Sequence, residues 1–160
     1  MRTIVALPLM ICGAAVAASY TPSRDAAQAN EVIALERGAL DRWGKGDPQG
    51  FIAIYAPELT YFDPAVARRI DGLPAMTEYL RPITGKVKVA RYEMIGTKVQ
   101  RHNDVAVLTY NLECEAVLPD GKHVTVHWNS TSVYARLGRE WKMIHSHWSF
   151  TKPPGAPVGI

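Results

Sequence analysis

Asp63 closes a short apolar segment, Leu59-Thr60-Tyr61-Phe62, and Pro64 follows it directly. A carboxylate held in an apolar pocket has its pKa raised by desolvation, and a base poised nearer neutrality can take a proton from carbon. Tyr61, two residues earlier, would share its side of a strand and is a candidate ligand contact. Asp-Pro is also a common turn pair, so a plain turn cap stands beside the general base as a reading of Asp63. Glu36 is the second carboxylate of interest. At about 100° per residue it falls in the middle of an apolar helical stripe made by Ala29, Val32, Ile33, Ala39, Leu40 and Trp43. There it either faces the same cavity as Asp63, pairs with a sheet arginine such as Arg91 or Arg101, or reaches solvent at the stripe's edge. Two carboxylates on one cavity would suit acid/base work on a small organic molecule.

Other chemistries find less support. His127, His145 and His147 fall on one face of the last two strands, but no carboxylate is evident beside them, and no metal site is assigned. No glycine-rich phosphate loop leads from a strand into a helix, and no G-x-S-x-G occurs, so nucleotide-dependent and serine-hydrolase chemistry are unsupported and no cofactor is implied. The net charge is +3, the 18 Lys and Arg are scattered, and no basic run is interleaved with aromatics. That argues against nucleic acid as a partner.

The elements that must position these residues follow from punctuation and period. A helix is expected from Ser23 and Arg24-Asp25 to Trp43, ended by Gly44 and Gly46. Asp47-Pro48 opens a second helix that runs to Pro57, and a short strand spans Leu59 to Asp63. Asp71-Gly72-Leu73-Pro74 opens a third helix to about Leu80. From Val87 the period becomes two, with strands at about 87–100, 104–117, 122–136 and 140–151. Helices followed by an antiparallel meander make the fold class α+β, with the N-terminal helices packed on a curved antiparallel sheet around a cone-shaped pocket. At 160 residues and 48% hydrophobic composition, one domain can bury a sufficient core without staples.

Strand pairing decides which side chains meet that pocket. A tight turn at Gly138 places Trp128 opposite Trp148, Ser130 opposite Ser146, and Ser132 opposite Ile144. Val124, Val126, Tyr134 and Phe150 share this face, which is the more aromatic one and should meet the helices. Trp128, Ser130, Ser132, Ser146 and Trp148 are therefore candidate ligand contacts, with Glu36 above them; polar groups among aromatics commonly orient a ligand. The opposite face carries His127, His145, His147, Thr131, Val133, Trp141 and Met143, a mixture too apolar to be left in water, and suggests a homodimer contact. For the preceding strand two registers stay open. A two-residue Asp120-Gly121 loop turns Thr109 and Asn111 inward, and a three-residue Pro119-Asp120-Gly121 loop turns Leu108, Tyr110 and Leu112 inward.

The first residues read as a leader. Arg2 precedes an uncharged stretch from Thr3 to Ala18, and Ala15 and Ala17 place a cut before Ala18. This assigns 1–19 to a signal peptide, 24–151 to the domain and 152–160 to a loose tail. The mature protein would then be periplasmic or secreted and free of the membrane. A retained anchor is the alternative, but the stretch is short and Pro8 interrupts it. Cleavage removes Cys12 and leaves Cys114, so no internal disulfide forms.

From about Glu31 to Thr151 the chain resembles the nuclear transport factor 2-like superfamily, in its SnoaL-like branch. The resemblance is carried by Gly46-Asp47, Tyr55-Ala56-Pro57, Leu59-Thr60-Tyr61-Phe62-Asp63-Pro64, Asp71-Gly72-Leu73, and Trp141 through His145-Ser146-His147-Trp148-Ser149. The association domain of calcium/calmodulin-dependent protein kinase II is similar over the same stretches. Ketosteroid isomerases share the fold, and their general-base aspartate stands in a segment matching Thr60 to Pro64. The resemblance therefore implies a cone of helices on a curved sheet, often dimeric, with an isomerase-, cyclase- or lyase-type base role carried onto Asp63. It departs from the isomerases where their oxyanion tyrosine corresponds to Ala39 and its partner acid to Ser130, which removes the electrostatic term expected to dominate. It departs from the kinase domain where cavity arginines correspond to Ser132 and Trp148. A non-catalytic ligand-binding or assembly domain is the other function that the resemblance implies.

Overall fold

The computed structural model describes residues 24–151; the leader, Cys12, the Ser23 helix start and the tail at 152–160 lie outside them. Helix α1 spans Arg24–Trp43. Val32, Glu36, Ala39 and Leu40, spaced to share one helical face, are its buried residues. Gly44 and Gly46 end it, and Arg42 closes the corner on Asp47 at 2.7 Å. Gly46 has φ +78°, and a Cβ there would lie 2.9 Å from the Gly85 Cα. That closeness lets Gly85 N–H donate to Gly46 O and Val89 N–H to Gly44 O, tying the helix end to the start of the long strands.

Helix α2, Gln49–Ile54, starts as expected, with Asp47 Oδ1 accepting from Gln49 N at 3.0 Å, but it ends three residues before Pro57. Proline disfavours the helical conformation in the residue before it, so Ala56 is extended and strand β1, Tyr55–Phe62, begins earlier than the sequence suggested. Strand β2 is Ile70–Asp71 and α3 is Leu73–Leu80, followed by a short 3-10 turn at Arg81–Ile83. Strands β3, β4, β5 and β6 are Val89–His102, Val105–Val117, His123–Leu137 and Glu140–Phe150, close to the expected ranges.

The six strands form one sheet in the order β2-β1-β6-β5-β4-β3. The meander β3 to β6 is antiparallel, but β1 lies parallel to β6, so the sheet is mixed. The β4–β5 hairpin takes the three-residue loop: Leu118 N–H donates to Lys122 O, and Leu108, Tyr110 and Leu112 are buried.

The β5–β6 hairpin corrects the expected register. Leu137 pairs with Glu140 across Gly138-Arg139, and a bulge then inserts Ile144, so Tyr134 pairs with Met143 but Val133 with His145. Beyond the bulge Trp128 faces Phe150, Ser130 faces Trp148, and Ser132 faces Ser146. One extra residue reverses the side to which a strand's side chains point. Trp141 and Met143 therefore turn inward and are buried at 2% and 0% exposure, instead of joining the histidines on the outer face. With Tyr134, Leu59, Leu108 and Met76 they belong to the buried core. Among the described residues no helix is long and apolar enough to cross a membrane.

Candidate functional site

Between the helices and the curved inner face lies a cavity of about 230 Å³. Aromatic side chains from distant parts of the chain meet on its wall: Trp43 from α1, Phe51 from α2, Tyr55 and Tyr61 from β1, Tyr92 from β3, and Trp128 and Trp148 from β5 and β6. Trp148 packs edge-on against both Trp128 and Tyr110, at centroid distances of 6.2 and 5.9 Å. Trp128 is also covered by Phe150 at 4.4 Å, and Phe150 remains 56% exposed at the outer rim. Cys114 lies on the wall as well, where burial pushes its thiol pKa up.

Asp63 is on this wall and also holds the turn at Pro64 that its sequence context allowed. Its Oδ1 accepts from the Ala65 backbone N–H at 2.6 Å, an Asx turn that holds the Pro64 corner. Its Oδ2 accepts from the Tyr61 hydroxyl at 2.6 Å and from the Tyr79 hydroxyl at 3.4 Å. Burial, foremost, and neighbouring negative charge push the pKa of Tyr61 well above its ordinary value and that of Tyr79 upward. Both phenols stay protonated donors. Oδ2 already accepts from two hydroxyls, but Oδ1 has a second lone pair, so capacity to accept from a ligand remains there.

Glu36 is placed differently from any of its three expectations. It is fully buried, and its Oε1 accepts from Tyr110 at 2.8 Å and Ser132 at 3.3 Å, while its Oε2 accepts a short hydrogen bond from Tyr134. Burial raises its pKa, and the three hydroxyls offset that only in part. No arginine reaches it: Arg91 pairs with Glu115 and Arg101 with Asp25. Glu36, Ser130, Ser132 and Ser146 all lie in the packed interior rather than on the cavity wall, which corrects their expected place. Tyr110 joins the two regions, donating to Glu36 and packing edge-on against Trp148 of the wall. Of the expected contacts, Asp63, Tyr61, Trp128 and Trp148 reach the cavity together.

Tyr55, Trp43, Phe51 and Tyr92 are site residues that the sequence reading did not select. Tyr55 falls in the segment expected to be the second helix, and Pro57, which disfavours helix in the residue before it, is the signal that could have pointed to strand. On the outer face His145 Nδ1 meets Thr60 Oγ1 at 2.8 Å, and its pKa is lowered by burial and by His147. Glu113 does stand opposite His127, 3.6 Å from its Nδ1. Among the described residues no three His, Cys, Asp or Glu side chains group as metal ligands.

Comparison with known proteins bears on this geometry. The family described as calcium/calmodulin dependent protein kinase II association domain matches residues 28–152. A ketosteroid isomerase-like protein from Parabacteroides distasonis is 34% identical, with 76% of this chain and 86% of that one covered at a TM-score of 0.65. The calcium/calmodulin-dependent protein kinase II hub homology domain of a Chlamydomonas alga, C. reinhardtii, is 26% identical over 78% of this chain and 98% of that one, with a TM-score of 0.66. A nuclear transport factor 2-like protein from Salmonella enterica, 18% identical over 85% and 99% of the two chains, shares the fold at a TM-score of 0.70. A comparison with curated proteins returns no match.

Proposed function

The chain belongs to the calcium/calmodulin dependent protein kinase II association domain family, within the nuclear transport factor 2-like superfamily, and from that premise we propose an exported protein that binds a small, largely apolar organic molecule and uses Asp63 as a proton acceptor. One observation carries the reading: a single carboxylate, held by neutral donors, opens onto a cavity otherwise walled by aromatic and aliphatic groups. Aromatic walls gain from apolar surface, and a few polar groups fix orientation. Asp63 would take a proton from a carbon beside an electron-withdrawing group, and the C–H electron pair would move into the ligand. Return of the proton to another carbon restores the carboxylate and yields an isomer; loss of a leaving group instead gives a lyase-type product.

The test uses the small ketone indanone in deuterium oxide. Asp63→Asn should retain its affinity for indanone, read by quenching of the wall tryptophans, and lose exchange of the ketone's α-hydrogens by about 100-fold or more, the usual share of a positioned base. Exchange unchanged in the variant would refute the role of Asp63. Mass spectrometry of molecules that co-purify from the export compartment would identify the natural ligand.

Assembly is the second reading, and Phe62 favours it. This ring is 39% exposed on the outer face and packs on His145 and His147, with Val133 beside them. We take this face to pair two copies of the chain.

A further inference from the structure

The inner face of the sheet runs on past the cavity wall. Cys114 and Ala116 of β4, Val126 and Trp128 of β5 and Trp148 of β6 belong to the wall. The next residues in the same alternation are Leu118, Val124 and Phe150. Val124 lies opposite Ala116, Phe150 lies opposite Trp128, and Leu118 N–H donates to Lys122 O. These three are 41%, 41% and 56% exposed and edge the wall as an apolar lip. A group of cations adjoins it. Lys45, Lys86 and Lys88 are exposed and enter no ion pair among the described residues. The Gly46–Gly85 and Gly44–Val89 hydrogen bonds hold the Lys45 corner against the start of β3, and Val117 N–H, one residue before Leu118, donates to Lys88 O. The acids nearby already have partners: Asp47 pairs with Arg42, Asp120 with Lys122, and Glu115 with Arg91 and His123. Uncompensated positive charge therefore stands beside exposed apolar side chains.

We propose that this lip docks reversibly on an anionic membrane surface, with Leu118, Val124 and Phe150 entering the acyl boundary and Lys45, Lys86 and Lys88 held at the phosphates. A lipid surface complements both features at once, because apolar groups gain by leaving water while ammonium groups stay at the charged headgroups. A second copy of the same lip would instead set lysine against lysine, which argues against self-association here. The cavity wall continues directly into the lip, so docking would bring the cavity beside the layer in which a largely apolar ligand concentrates. The leader reading left the mature protein without a membrane anchor, and this contact needs none. It goes beyond ligand binding and does not depend on Asp63.

The probes are sedimentable vesicles of phosphatidylcholine alone and of equal parts phosphatidylcholine and phosphatidylglycerol. Wild-type protein should bind the mixed vesicles about 100-fold more tightly than the neutral ones, at about fivefold for each lysine, and should be released by salt. Lys86→Gln combined with Lys88→Gln should weaken binding to mixed vesicles about 25-fold. Leu118→Ser should weaken it about tenfold, since an apolar side chain no longer leaves water. Lipid brominated in its acyl chains should quench part of the tryptophan emission, because Trp128 lies against Phe150. All three changed positions are exposed, and circular dichroism reports folding of each variant. No binding to mixed vesicles, equal binding to both kinds, or binding that these variants leave unchanged would overturn the proposal. Binding without bromine quenching would overturn it as well, as adsorption by charge alone. Asp63→Asn should bind vesicles as wild type does, so a failure of α-hydrogen exchange or of indanone binding bears on the function proposed above and not on this surface.

Discussion

Removing the Glu36 carboxyl should be among the most damaging single changes to this fold. Glu36→Ala empties a fully buried site and leaves the hydroxyls of Tyr110, Tyr134 and Ser132 without their acceptor. Each stranded hydroxyl costs about 1–3 kcal/mol, so the loss is roughly 3–6 kcal/mol after some re-pairing among the three. That is a large share of the roughly 5–15 kcal/mol typical of a whole domain. Glu36→Gln keeps an acceptor oxygen and should cost about 1 kcal/mol in acid. The pH dependence separates the two forms further. The folded pKa of Glu36 is raised, so the unfolded chain gives up this proton first. Its contribution is therefore full below the unfolded value of about 4.3 and falls as pH rises from there toward the folded pKa, by at most about 1.4 kcal/mol per pH unit. Asp47, Asp71, Glu115 and Asp120, whose pKa values are lowered by partners, act in the opposite direction but are present in both proteins and cancel in the difference. Urea unfolding of wild type and Glu36→Gln across acid and neutral pH should show the variant gaining on the wild type as pH rises. Parallel profiles, or a Glu36→Ala protein with the wild-type midpoint, would refute the account of a buried carboxyl with a raised pKa held by three hydroxyls.

Protein recovered from the native periplasmic or secreted fraction should begin near Ala18 on N-terminal sequencing; soluble protein that retains Met1 would count against export. Sedimentation at high micromolar concentration should give a dimer, and replacing Phe62 with Glu should shift it to monomer without loss of the folded core, since Phe62 is exposed in a single copy. A wild-type monomer under those conditions would dismiss the outer face as a contact.

The order and type of nearly every element were legible in the sequence because they rest on local signals: glycines at Gly44 and Gly46, the Asp47-Pro48 start, and the change of period from Val87 onward. That Asp63 and Tyr61 share one side of a strand was legible too, since alternation along a strand is local; that Trp128 and Trp148 join them depends on strand pairing and on the Ile144 bulge. What the sequence determined of Glu36 was its burial, read from its place in the α1 stripe. Its partners were a matter of tertiary structure, because Tyr110 and Tyr134 come from strands whose facing depends on loop length and bulge position. The same limit explains Trp141 and Met143. The Ile144 bulge leaves no mark in the hydrophobic pattern, yet it lets Trp141 and Met143 enter the core while His145 and His147, on the same strand, stay outside. Tyr55 became part of the site only when Pro57, a local signal, was combined with pairing to β6, a distant one. Local residues set which way each segment bends and alternates; the register between segments, and with it the membership of the cavity, is fixed only when the whole sheet closes over the helices.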